Sequence, residues 1–193
     1  MQNLFTYIHS LSNLSEKSWE ILYPVLSTQE FKKGAYLLKE NHVCHSLFFI
    51  DKGFCRSFYL KDGLEKNTAF HFENEIVTNL NSFAEGQKST YFIQACEPLT
   101  AILFDKQKLF EACQKAPEIE TLGKKCLRVT AAKLEEHANL FKLFSAIERY
   151  EYLEQHQPQL LRRVSLTHIS SYLGIARETL SRIRKRRLNA TSL

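Results

Sequence analysis

Apolar positions first recur at helical spacing over roughly Ser15 to Leu22, and then the rhythm changes to short apolar and aromatic runs. The segments SLFFI, FCRSFYL, NTAFHF and TYFIQA are separated by turn signals at Gly34, Asp51-Lys52-Gly53, Lys61-Asp62-Gly63, Glu73-Asn74 and Ala84-Glu85-Gly86. β-Branched and aromatic residues between regularly spaced turns predict an antiparallel β-barrel or roll over residues 1–116. Such a container takes a small molecule or is filled by its own side chains, and shape alone does not choose between these.

From Pro117 the period becomes helical and stays so to about Pro158. Two stripes run along this segment. Ile119, Leu122, Cys126 and Val129 form the first, interrupted further on by Lys133 and Glu136; Leu127, Ala131, Leu134, Ala138 and Phe141 form the second. One stripe is expected to serve the roll and the other a second copy of the chain. We assign Ile119, Leu122, Cys126 and Val129 to the dimer contact of a helix spanning 117–144. Ser145-Ala146-Ile147-Glu148 has the form of a capping box, so the helix should break near Phe144 and a new one open a C-terminal module over 145–193.

Within that module, Ser165 to Arg187 has the grammar of a helix-turn-helix. Ser165 is a good N-cap, Ile169, Tyr172 and Leu173 recur at helical spacing, and Gly174 tolerates the left-handed dihedrals of a helix end. In the helix that follows, Leu180 and Ile183 fall on one side, and Arg177, Glu178, Ser181, Arg182 and Lys185 on the other. A face of arginines with an acid and a serine suits the major groove, where Arg bonds guanine O6 and N7 and Glu accepts from cytosine N4.

Charge sharpens this. From Pro158 onward eight Lys or Arg face one acid, Glu178, giving +7 where the whole chain carries +5, so residues 1–157 carry −2. The positive field belongs to one end, as expected of a module that meets phosphates. Lys185 and Arg186 are the expected phosphate clamps, although a solvated basic tail is the plainer reading of Arg184 to Arg187.

Composition removes other classes. No apolar run approaches the roughly 18–20 residues that span a bilayer, and MQNLFTYIHSL lacks the basic start and apolar core of a signal peptide, so a cytoplasmic protein with no membrane partner is expected. Cys44, Cys55, Cys96, Cys113 and Cys126 are odd in number and include no C-x-x-C pair, which argues for free thiols and against disulfides or a metal site. The seven histidines fall in no ligand spacing. With no recognisable nucleophile and base pairing or phosphate loop, an enzyme is not expected.

A roll, a long helix, a break and a helix-turn-helix, in that order, resemble the Crp/Fnr superfamily of bacterial transcription regulators, giving an α+β fold. The strongest similarity is SYLGIARETLSRIRK, which places Arg177, Glu178, Ser181 and Arg182 on the family's base-reading positions. SLFFIDKGFCRSFY is similar to its strand-turn-strand, and SAIERYEYL resembles regulators of Bacteroidetes type. The cyclic-AMP-binding members carry a Gly-Glu-Leu and an Arg followed by Ser or Thr in their phosphate cassette; the corresponding residues here are Thr78-Asn79-Leu80 and Ser89-Thr90. Asn79, Leu80, Ser89 and Thr90 thus mark where a family ligand would lie, without the acid and the guanidinium that hold cyclic AMP. No cofactor is identified, and the absence of cysteine before Cys44 argues against the iron–sulfur cluster of Fnr. Only Leu188 to Leu193 follow the basic run, so little or no β-hairpin wing is expected.

The expected function is a homodimeric regulator of double-stranded DNA with a palindromic site, an unidentified small-molecule effector and RNA polymerase as a candidate partner. The alternative is a small-molecule sensor or protein-interaction module of the same fold that does not bind DNA.

Overall fold

The computed structural model describes residues 1–191, and side chains through Arg187. Two helices, α1 (Gln2–Leu11) and α2 (Glu16–Leu22), lead into strands β1 (Leu26–Phe31), β2 (Tyr36–Leu38), β3 (Ser46–Lys52), β4 (Cys55–Lys61), β5 (Leu64–His71) and β6 (Ile76–Val77). Helix α3 (Leu80–Glu85) separates these from β7 (Phe92–Ala95) and β8 (Leu99–Asp105). Helices α4 (Lys106–Lys115), α5 (Pro117–Leu143), α6 (Ala146–His156), α7 (Pro158–Arg163), α8 (Leu166–Leu173) and α9 (Arg177–Thr191) complete the chain. The strands form two four-stranded sheets, β1-β8-β3-β6 and β2-β7-β4-β5, so each sheet takes strands from both ends of the roll.

The four apolar runs read from sequence fall on β3, β4, β5 and β7, with ends that differ by up to three residues. Helices α1, α3 and α4 and strands β1, β2, β6 and β8 had no such signal, because they are short or gain their apolar face only from tertiary packing. Local caps fix several ends. The side chains of Ser15, Asn79 and Asp105 accept from the backbone N–H three residues on, at the starts of α2, α3 and α4. Gly53, between β3 and β4, has φ +84°, and a Cβ there would lie 2.5 Å from the Pro98 carbonyl oxygen. Only glycine meets both demands.

Two compact units emerge. The first holds Met1–Phe58 and Phe70–Ala131; the second holds Tyr59–Ala69 and Ala132–Leu193. The expected division at 116/117 coincides with the start of α5, but α5 itself is shared between the units and the tip of the β4–β5 hairpin groups with the C-terminal helices. In the first unit one core gathers Leu4, Ile8, Leu22, Phe49, Ile102 and Phe104, and a second gathers Phe48, Ile50, Cys55, Ile93, Ala95 and Ala101 inside the roll. In the second unit Leu140, Tyr150, Leu153, Leu160, Ile169, Leu173 and Leu180 are buried.

Helix α5 corrects one expectation. Ile119 is 2 % exposed and Leu122 5 %, both within the core that contains Leu4 and Ile8, and Cys126 packs against the same core. Val129 is half-buried. These four residues therefore do not form a free seam for a second chain: α1 covers the first three turns, and no sequence signal had placed α1 there. It is the second stripe that stays open, with Leu127 52 % and Leu134 59 % exposed and Ala131 and Ala138 also exposed.

Candidate nucleic-acid interface and roll cassette

The helix-turn-helix is built from local rules. The Ser165 side chain accepts from His168 N–H to start α8, and Gly174 ends it at φ 68°, with its own N–H and that of Ile175 returning to the carbonyls of Ser170 and Ser171. Leu180 and Ile183 then anchor the inner face of α9. Arg177, Glu178, Ser181, Arg182, Lys185 and Arg186 are all exposed, so the six expected DNA contacts share the outward side of one helix. Their fan across that side is the geometry needed to meet base edges with the first turns and phosphates with the later ones.

The basic run divides in two. Arg187 donates to Glu151 Oε1 at 2.8 Å and to Glu154 Oε2 at 3.1 Å, so this arginine binds back onto α6. Lys185 and Arg186 lie on the opposite side. The sequence had singled out Lys185 and Arg186 as phosphate clamps without saying what holds their neighbours; the acids at 151 and 154, spaced to share one face of α6, were the available signal that Arg187 is held by the protein itself.

In the first unit the cassette residues behave differently from one another. Asn79 and Ser89 are buried. Asn79 Nδ2 donates to Ser89 Oγ at 2.9 Å, while Asn79 Oδ1 accepts from Ser82 N–H at 3.1 Å. Ser89 Oγ donates in turn to the Tyr91 carbonyl at 2.7 Å. Leu80 and Thr90 are exposed, so the four expected ligand-site residues are not gathered around one pocket. The two inner ones are occupied by each other, and the neighbouring Lys88 is exposed.

The roll does contain a buried cation that sequence reasoning passed over. Arg56 donates to Gln94 Oε1 at 2.7 and 3.3 Å and lies 4.1 Å from the centre of the Phe58 ring. It alternates with Cys55, whose side chain is in the inner core, and so stands on the other face of β4. A charged residue inside FCRSFYL was the available clue.

A Ser57–His71–Glu75 chain also appears only in space. Ser57 Oγ is 3.0 Å from His71 Nε2, but His71 Nδ1 is 3.8 Å from Glu75 Oε2, too long for a hydrogen bond, and Ser57 is 5 % exposed. A nucleophile closed off from substrate is inert. Burial pushes the thiols of Cys55, Cys113 and Cys126 up from their ordinary range, which lowers their thiolate fraction. Among the described residues no three His, Cys, Asp or Glu side chains cluster as metal ligands, and no helix is long and apolar enough to cross a membrane.

Residues 28–116 match the cyclic nucleotide-binding domain family. No curated protein sequence is similar enough to the chain to count as a match. Solved structures are more informative. FixK2 of Bradyrhizobium japonicum is 21% identical, with 86% of each chain covered and a TM-score of 0.69. The c-di-GMP-responsive global regulator CLP of Xanthomonas campestris is 15% identical over 93% of this chain and 94% of its own, with a TM-score of 0.71. A putative Crp/Fnr-family regulator of Eubacterium rectale gives 16%, 91%, 85% and 0.71. The last two of these are described as regulators, and the chain shares the fold of all three: a β-roll, a long helix and C-terminal helices.

Proposed function

We propose that the chain is a Crp/Fnr-type transcription regulator, of the Bacteroidetes-like branch suggested by SAIERYEYL, that binds a palindromic DNA site as a homodimer in the cytoplasm. The observation that carries this reading is the exposure of Arg177, Glu178, Ser181, Arg182, Lys185 and Arg186 on the side of α9 opposite the buried Leu180 and Ile183. Arg177 and Arg182 read guanines, Glu178 accepts from cytosine or orients Arg182, Ser181 adjusts either contact, and Lys185 and Arg186 hold phosphates. The protein does no covalent chemistry.

Dimerisation uses the second stripe of α5, Leu127, Ala131, Leu134 and Ala138, whose 4, 3, 4 spacing is that of a coiled-coil seam. Exposed leucines at that spacing support a parallel second copy, since a helix with an unpaired apolar edge gains by covering it.

Cyclic AMP is not the effector in this reading. A cyclic phosphate at Asn79 and Ser89 would break one buried and one part-buried hydrogen bond and meet no guanidinium, and an anion buried without a counter-charge is costly. The roll either answers to a ligand of other chemistry or serves as a filled scaffold. RNA polymerase is the protein partner such a regulator engages. Selection of bound sequences from random duplex DNA, with and without cell extract, tests the proposal: an inverted repeat should emerge, and its appearance without extract would make any effector dispensable for binding.

A further inference from the structure

Arg149, on the first turns of α6, makes three separate contacts with the helices around it. Its Nε donates to the Phe144 carbonyl at 3.0 Å and its Nη1 to the Leu173 carbonyl at 2.9 Å, and its guanidinium lies 4.6 Å from the centre of the Phe141 ring. Phe144 directly follows α5, and Leu173 is the last residue of α8 before the Gly174 turn. Both carbonyls belong to helix C-termini, where the unpaired oxygens carry partial negative charge and a cation is favoured. One planar fork therefore bridges two helix ends that are 29 residues apart in the chain.

The turn leading to α9 rests on this bracket. A Cβ placed on Gly174 would be 3.9 Å from Arg149 Nη1 and 3.9 Å from Phe141 Cε1. Phe141 meets Tyr172 of α8 edge to face at 6.3 Å, so the same ring that receives the cation also packs the helix whose end the cation holds. The position and direction of α9 follow from where α8 ends.

We propose that Arg149 is a positioning residue that fixes the reading helix α9 relative to the C-terminal turns of α5, and thereby sets the half-site spacing that the dimer accepts. This rests on the DNA-binding reading above. Arg149 contributes no base contact; a lysine there keeps the charge but loses the fork that reaches two carbonyls at fixed geometry. The cation over Phe141 further limits the side chain to one orientation.

The test compares full-length wild type, Arg149→Lys and Arg149→Ala on operators selected by the wild type, on the same half-sites moved closer or apart by one base pair, and on a single half-site. The wild type should disfavour the altered spacings by about tenfold, whereas Arg149→Ala should bind all spacings within about twofold while keeping single-half-site affinity. Arg149→Lys should fall between them. A variant that merely loses stability while retaining the wild-type spacing preference overturns the proposal. Amide exchange, which needs no DNA, separates this from failure of the DNA-binding reading: amides of the Gly174–Ala176 turn should exchange about tenfold faster in both variants, and unchanged exchange also overturns it. If Arg149→Ala does not fold, Arg149→Lys carries both readouts.

Discussion

Asn79 donates through Nδ2 to Ser89 Oγ at 2.9 Å, closing the cassette of the roll with an uncharged side-chain pair. The pair is buried, and each partner is also bonded to backbone, Asn79 at the start of α3 and Ser89 to Tyr91. Titration calorimetry with cyclic AMP should therefore show no binding into the millimolar range. Asn79→Ala, which removes a helix cap and leaves Ser89 with one fewer partner, should cost about 1–2 kcal/mol in a denaturant titration.

The two stripes of α5 separate by experiment. Leu122→Ala empties a fully packed site beside Leu4 and Ile8 and should destabilise the protein by about 2–5 kcal/mol. Leu134→Glu alters an exposed position and should leave the far-ultraviolet circular dichroism unchanged while shifting sedimentation from dimer to monomer. A monomeric wild type contradicts the assignment of the second stripe.

Lys185 and Arg182 should differ in how they fail. Arg182→Ala should cost about 1–3 kcal/mol on the selected operator and relax one position, whereas Lys185→Ala should weaken all sequences alike and reduce the salt slope by about one. Arg187→Ala should act through stability instead, because its partners are Glu151 and Glu154. Thermal unfolding and binding isotherms recorded on the same samples distinguish the three.

The capping box at α6 predicts a pH signature. Glu148 accepts from Ser145 N–H, and the hydrogen bonding with Ser145 holds its carboxyl below the ordinary value of 4.5. A carboxyl depressed in the folded state contributes stability that is fully present above the unfolded value and lost as pH falls through the folded one. The Ser145 amide should thus remain protected at neutral pH and lose protection only below about 4.5, and Glu148→Gln should flatten the profile. Exchange measured across that range by NMR checks it. Glu118, held down in the same way chiefly by the Ser15 backbone N–H, should titrate in parallel.

Local chemistry was what the sequence made legible. Ser15, Ser145, Ser165 and Gly174 act within a few residues of themselves, so the caps and the helix-turn-helix could be read directly, and the outward set on α9 followed from period alone. The open stripe of α5 could not be read, since it depends on α1, more than a hundred residues away, covering Ile119 and Leu122. The same holds for the bracket made by Arg149 and the acids that withdraw Arg187, which join residues 24 to 36 positions apart. The cassette lay between these cases: its missing charges were visible in sequence, but the pairing that replaces them was not.

The exposed side of α9 is the surface proposed to read DNA. Selection from random duplexes, run in parallel with wild type and an Arg177→Ala, Arg182→Ala double variant, tests it most directly. The wild type should enrich an inverted repeat whose recovery falls with salt, and the double variant, folded as judged by circular dichroism, should lose that motif. Enrichment of no motif by the wild type, or of the same motif by both proteins, would contradict the account.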